Sequence, residues 1–209
     1  MMNIITALVK FLSSFLGQTD HLKTDPIEPG QRPPAIRLAW GKKVSPEFRK
    51  RVLEICQELG VNPDYLMACM AFESAETFSP SIKNAAGSGA TGLIQFMPTT
   101  AKGLGTTTGA LANMTALQQL EYVHAYFWPY RGRLKTLGDV YMAILWPAGI
   151  GKPDTWPLWD KSKQPTTYRQ NAGLDINKDG AITKAEATAK VQAKLEKGLM
   201  LDYVWKGEL

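Results

Sequence analysis

Cysteine and histidine are both scarce: the 209-residue chain has two of each. Cys56 and Cys69 cannot build a disulfide framework or a four-thiolate zinc site, and His21 and His124 cannot supply a histidine-rich metal cluster. A serine triad has few candidates for its base. No apolar run reaches the roughly 20 residues of a membrane span, and strand signals, repeats and low-complexity tracts are sparse or missing. What is present is ordinary globular composition, 44% hydrophobic and 21% charged, enough for a core without covalent staples. The net charge of +5 is uneven. Residues 77–153 hold Lys83, Lys102, Arg131, Arg133, Lys135 and Lys152 against Glu121 and Asp139. That bias suits an anionic polymer or surface as well as plain solubility. No zinc-finger spacing or RNA-binding aromatic signature accompanies it, so no nucleic-acid partner is expected.

Residues 3–16 place Ile4, Ile5, Leu8, Val9, Phe11, Leu12, Phe15 and Leu16 on one helical face, opposite Thr6, Lys10, Ser13 and Ser14. This amphipathic helix, assigned to residues 1–24, packs on its own protein or contacts a membrane surface or virion. No basic residue precedes the apolar stretch and Lys10 interrupts it, a poor fit to a secretory signal. Residues 25–39, rich in proline at their start, read as a linker. Helices with good punctuation follow over 40–165. Ser45 caps one that opens at Pro46 and ends at Gly60, and Asn62 caps another at Pro63. A short helix starts near Pro98. Thr115 and Gln118 form a capping box for a helix to about Trp128, and a further helix covers about 137–145. The fold class is mostly α.

Glu73 is the anomaly. Leu66, Cys69, Met70 and Glu73 share one helical face, so a carboxylate sits on a stripe expected to be buried. Burial raises a carboxyl pKa and prepares it to donate a proton near neutrality; the bland alternative is a core-edge glutamate paired with a lysine or backbone amides. Cys56 and Cys69, on apolar faces of adjacent helices, read as free buried thiols. Gly87-Ser88-Gly89-Ala90-Thr91-Gly92 spells a nucleotide-binding glycine pattern, but SPSIKNAA before it is no apolar strand. Tyr122, Tyr126, Phe127, Trp128, Tyr130, Tyr141 and Trp146 crowd residues 122–146, a set suited partly to the core and partly to stacking on sugar faces.

Glu73-Ser74, then Phe78-Ser79-Pro80, then Gly89-Ala90-Thr91-Gly92-Leu93-Ile94-Gln95-Phe96-Met97-Pro98-Thr99-Thr100-Ala101 resembles the signature of lysozyme-like lytic transglycosylases. Ile94 stands where that pattern has methionine. Leu145-Trp146-Pro147-Ala148-Gly149 stands where it has Ala-Tyr-Asn-Ala-Gly, which keeps an aromatic but removes an amide. The resemblance covers about residues 45–150. It implies cleavage of the β-1,4 MurNAc–GlcNAc bond of peptidoglycan by one general-acid/base glutamate, Glu73, with Ser74, Gln95, Tyr141 and Trp146 as substrate-binding residues. An ordinary two-carboxylate glycosidase would need a second acid; Glu76 and Asp139 are the candidates, and Glu76 reads as a solvated helix-end residue.

Residues 166–209 hold a second motif. Asp175, Asn177, Asp179 and Glu186 occupy positions 1, 3, 5 and 12 of a loop with Gly180 at 6 and Ile182 at 8, the EF-hand calcium pattern. With Ala181 by its carbonyl and Thr183 directly or through water, they predict one structural Ca²⁺, followed by a helix over about 183–197. Together these features predict a monomeric, calcium-stabilised peptidoglycan-cleaving enzyme. The absence of an export pattern suggests a phage or prophage lysis or virion protein, made in the host cytoplasm or carried in the virion and acting in the periplasm. The reading from another class is a non-catalytic wall-binding or virion structural module on the same fold.

Overall fold

The computed structural model describes residues 36–85 and 87–208. The expected N-terminal helix and linker residues 25–35 lie outside the described residues.

Local capping chemistry starts the helices. Ser45 Oγ accepts from Phe48 N at the head of α1 (Pro46–Leu59), and Gly60, at φ 66°, closes it in the left-handed region. Asn62 caps α2 (Pro63–Glu73) through Asp64 N at 2.9 Å. The signature loop leads to α3 (Pro98–Gly103) and α4 (Thr108–Ala112). Two reciprocal capping boxes then begin α5 (Ala116–Phe127) with Thr115 and Gln118, and α6 (Leu137–Leu145) with Thr136 and Asp139. Strand β2 (Pro157–Asp160), helix α7 (Pro165–Asn171), strand β3 (Ala181–Thr183) and helix α8 (Lys184–Gly198) complete the order, before β4 (Trp205–Gly207).

α2 is the axis of the molecule. Leu66 through Ala71 are each at most 1% exposed, so this helix is apolar on every side rather than along one stripe. α8 lies along it, and α6 packs against both. Burying α2 completely brings its C-terminal residue, Glu73, to the edge of the core. Trp40 locks α8 in place: its indole N–H donates to Lys194 O at 2.8 Å, and its ring lies where any side chain on Gly198 would fall.

The linker does not extend to residue 39. Ile36–Leu38 form strand β1, antiparallel to β4 with Leu38 opposite Trp205, and Leu38 and Ala39 are buried. The pairing partner stands at the far end of the chain. The second small sheet pairs β2 with β3, Trp159 opposite Ile182, across a bulge after Pro157. Nor is residue 166 a structural boundary, because Ala35–Leu209 form one compact unit. Cys56 and Cys69 are free and buried, and burial pushes both thiols well above their ordinary value.

Candidate active site

Glu73 closes α2, half-buried, and no hydrogen bond or ion pair meets its carboxyl among the described residues. Desolvation alone pushes its pKa up to about 7. Its surroundings are aromatic. Tyr141 packs edge-on against Phe72 at 5.6 Å, and Tyr126 against Phe96 at 6.2 Å. Both phenols are raised above their ordinary value, first by burial, with the Glu73 charge contributing to each. The Tyr126 hydroxyl donates to Ala143 O at 2.6 Å and joins α5 to α6 across the site.

After Glu73 the chain turns sharply. Ala75, Glu76 and Phe78 have φ of 49°, 65° and 51°, a run of left-handed non-glycine residues that only over-determined surroundings sustain. Ser74 supplies part of that constraint. It is fully buried, its hydroxyl donates to Met70 O at 2.6 Å, and it accepts from Phe78 N at 3.0 Å. Expected to bind substrate, Ser74 instead shapes the turn.

Glu76 is not a solvated helix end. Lys194 and Lys197 of α8 both donate to its carboxylate, the latter at 2.6 Å, and these bonds hold its pKa below the ordinary range. Asp139 is likewise engaged. Its Oδ1 takes Lys184 Nζ at 2.6 Å and Gly151 N at 2.8 Å, while Oδ2 caps α6. Burial by itself would raise the Asp139 pKa, but the Lys184 bond, the Gly151 N–H and Thr136 outweigh it and lower the value. Both candidates for a second acid are therefore tied into structural ion pairs.

The loop facing this turn is held by a residue that sequence reasoning passed over. Gln119, fully buried on α5, accepts from Leu93 N at 2.7 Å and donates to Pro80 O and Leu111 O. A side chain on Gly92 (φ 84°) would meet Gln119 Oε1 at 2.3 Å, so glycine is required there. The signal was present: Gln119, Val123 and Phe127 fall at i, i+4 and i+8, a polar residue on an apolar stripe. Gln95 is half-buried at φ 52°, and its amide donates to Gly92 O and Ile82 O. Its N–H groups thus close the loop. Trp146, directly after α6, is 39% exposed and meets Trp159 at 5.7 Å.

The expected metal loop is held by its own amides. Asp175 Oδ2 accepts from the Tyr168 hydroxyl and Gly180 N, and Asn177 and Asp179 exchange bonds. Glu186 caps α8 through Thr183. The left-handed Lys178 and Gly180 wrap the loop. Among the described residues no three His, Cys, Asp or Glu side chains are gathered closely enough to hold a metal. One observation does fit a cation: Asp175 Oδ1 is buried without a hydrogen-bond partner.

A desolvated carboxyl thus closes a buried helix, near enough to two buried tyrosines for its charge to act on both. Residues 52–122, about a third of the chain, match the family model for the transglycosylase SLT domain. That segment runs from α1 into α5 and includes Glu73, Gln95 and Gln119. The match supports the resemblance to lysozyme-like lytic transglycosylases. No curated protein matches the chain.

Proposed function

We propose that this protein cleaves the β-1,4 MurNAc–GlcNAc bond of peptidoglycan with Glu73 as its single general acid/base. The observation that carries the reading is the state of the carboxyls: Glu73 is unpartnered with a pKa near 7, while Glu76 and Asp139 are held in ion pairs. A neutral Glu73 donates its proton to the glycosidic oxygen as the bond from the MurNAc C1 breaks. The C1 cation then takes either the sugar's own C6 hydroxyl, closing a 1,6-anhydro ring, or water. Either nucleophile returns its proton to the Glu73 carboxylate, so the enzyme is regenerated. Trp146 furnishes exposed aromatic surface, whereas Tyr141, expected to bind substrate, is buried and packs against Phe72 as core; the Gln95 carbonyl oxygen is the end of that amide left to meet a substrate N–H. Mass spectrometry of products from purified sacculi tests bond, activity and outcome together. Anhydro or reducing MurNAc ends, missing with Glu73→Gln, support the reading; intact sacculi refute it.

The same reading includes one structural Ca²⁺ on Asp175, Asn177, Asp179, Ala181, Thr183 and Glu186. All the donors are hard oxygens, as calcium requires, and Asp175 presents a buried oxygen in need of a partner. The ion would supply charge neutralisation for three carboxylates and order the loop before α8.

A further inference from the structure

The backbone after Glu73 is costly to hold. Ala75, Glu76 and Phe78 are left-handed without being glycine, a run that keeps its shape only where its surroundings insist on it. Ser74 restrains the turn from within, through Met70 O and Phe78 N. A second restraint comes from α8, more than a hundred residues on. Lys194 Nζ donates to Glu76 Oε1, and Lys197 Nζ donates to Oε2 at 2.6 Å, so each carboxylate oxygen has its own cation. The two lysines stand three positions apart, on one face of the helix. Trp40 makes another connection between the same elements. Its indole N–H donates to Lys194 O, its ring meets Phe78 at 6.3 Å, and Lys197 Nζ lies 5.6 Å from the centre of that ring.

We propose that α8 is a working part of the active site, with Lys194 and Lys197 as positioning residues that hold the Glu73 carboxyl in place through Glu76. The catalytic consequence rests on the reading of Glu73 as the acid. No hydrogen bond or ion pair fixes the Glu73 carboxyl among the described residues, so its place depends on the path of the chain that leaves it. Glu76 N donates to Ala71 O at 2.7 Å, which folds the turn back onto the last residues of α2. Opening the clamp frees that turn and admits water to Glu73, and the desolvation that raises its pKa is lost.

The clamp itself does not titrate near neutrality. Its bonds hold Glu76 below the ordinary carboxylate value and Lys197 above the ordinary amine value. The other groups on which the Glu73 charge acts are Cys69 on α2, Tyr126 on α5 and Tyr141 on α6, and burial raises all three. A pH series around 7 therefore reads Glu73 against neighbours of fixed charge.

The test follows the ¹³C carboxyl signal of Glu73 across pH in two forms of the full chain, Glu76→Gln and the pair Lys194→Gln with Lys197→Gln. Both forms open the clamp, but they change local charge in opposite senses. Charge acting through space alone would lower the Glu73 midpoint in the first and raise it in the second. A freed turn lowers it in both, from about 7 toward about 6. Cleavage of sacculi at pH 7 should then fall about fivefold, because fewer acids keep their proton, and recover toward the wild-type rate at pH 5. Lys194→Arg with Lys197→Arg keeps both cations and should keep midpoint and rate. Midpoints that stay near 7 in both glutamine forms, or that move in opposite directions, overturn the proposal. Wild-type protein that leaves sacculi intact, while both midpoints fall, removes the cleavage reading and keeps the clamp. Active wild-type protein with both midpoints unmoved removes the clamp alone.

Discussion

Lys184 Nζ lies 2.6 Å from Asp139 Oδ1, with both side chains buried. Lys184 opens α8 and also donates to Lys152 O, while Asp139 belongs to the first turn of α6. One ion pair thus fastens the helix after the 175–186 loop to the helix that carries Tyr141. Removing one partner of a buried pair costs about 3–5 kcal/mol, because the other charge is left without compensation. For a domain of this size that is roughly 6–20 °C in melting temperature. Lys184→Met should show that loss by calorimetry; a drop under about 2 °C would mean that Gly151 and the α6 amides suffice for the carboxylate. The Asp139 pKa is depressed, so this stabilisation is present above its ordinary value of 3.8 and is lost as pH falls through the lowered one.

Glu73 has the opposite linkage. Its folded value, about 7, exceeds the ordinary 4.5. The cost of a desolvated carboxylate is fully present above pH 7, shrinks as pH falls, and is gone below 4.5. Glu73→Gln should therefore be more stable than wild type at pH 8, by up to about 3 kcal/mol, and equal to it near pH 4. Cleavage should fall as pH rises through 7, because the acid loses its proton. The variant should lose more than about 10²-fold in rate at pH 7 and below, where the wild-type acid keeps its proton. Melting curves and turnover over one pH series check both arms, and a variant keeping a tenth of wild-type activity would remove Glu73 from the chemistry.

Glu76 invites the same substitution with a different result. Its carboxylate is held by Lys194 and Lys197 and lies in the strained turn three residues past Glu73. Glu76→Gln keeps the shape but weakens the clamp. Partly exposed pairs contribute little, so melting should drop by a few degrees at most. Cleavage should fall less than about tenfold, through looser placement of the turn. A loss as large as that of Glu73→Gln would make Glu76 a second catalytic carboxylate.

Local signals in the sequence proved the readable ones. Ser45, Asn62 and the Thr115–Gln118 box act within a few residues of themselves, and each cap forms where its spacing indicates. The anomalous burial of Glu73 was legible for the same reason, since it follows from the composition of one helix. The fates of Ser74, Glu76 and Asp139 were not. Glu76 meets lysines more than a hundred residues away, and Asp139 meets Lys184 across forty-five positions. Ser74 looked like a ligand contact because it adjoins Glu73 in the motif; only the turn shows its hydroxyl engaged by backbone. The reach of β1 was hidden likewise, because its partner is β4.

That strand makes truncation a test of where the folded unit begins. Residues 35–209 form one compact unit, so deletion of 1–34 should leave folding and wall cleavage intact. Deletion of 1–39 removes β1 with buried Leu38, and takes away Ala39 N, which donates to Asp64 Oδ1 at 2.7 Å. Losing a buried leucine alone costs about 2–5 kcal/mol. The longer deletion should melt at least 5 °C lower, or fail to accumulate. Equal melting of the two proteins would show that β1 contributes nothing.

Calcium is the last expectation to test. Asp175, Asp179 and Glu186 bring three carboxylates into one loop, and Asp175 holds a buried oxygen without a partner. A cation that binds only the folded loop stabilises by RT ln(1 + [L]/Kd), about 2.7 kcal/mol at a hundredfold excess over Kd. Chelator should lower the melting temperature of the calcium-loaded protein by roughly 5–10 °C, and Asp175→Ala should melt at the chelated value whether or not calcium is added. The effect should be visible beyond the loop. Strand β3, residues 181–183, lies inside it and pairs with β2, where Trp159 stands opposite Ile182. Calcium should therefore shift the Trp159 indole signal while leaving Trp205, on the other sheet, in place. Turnover per folded molecule should change little, because none of the six ligands belongs to the Glu73 turn or to the loop that Gln119 braces. If calorimetry detects no binding at millimolar calcium, and chelator moves neither the melting curve nor the Trp159 signal, the loop is a polar turn closed by its own amides.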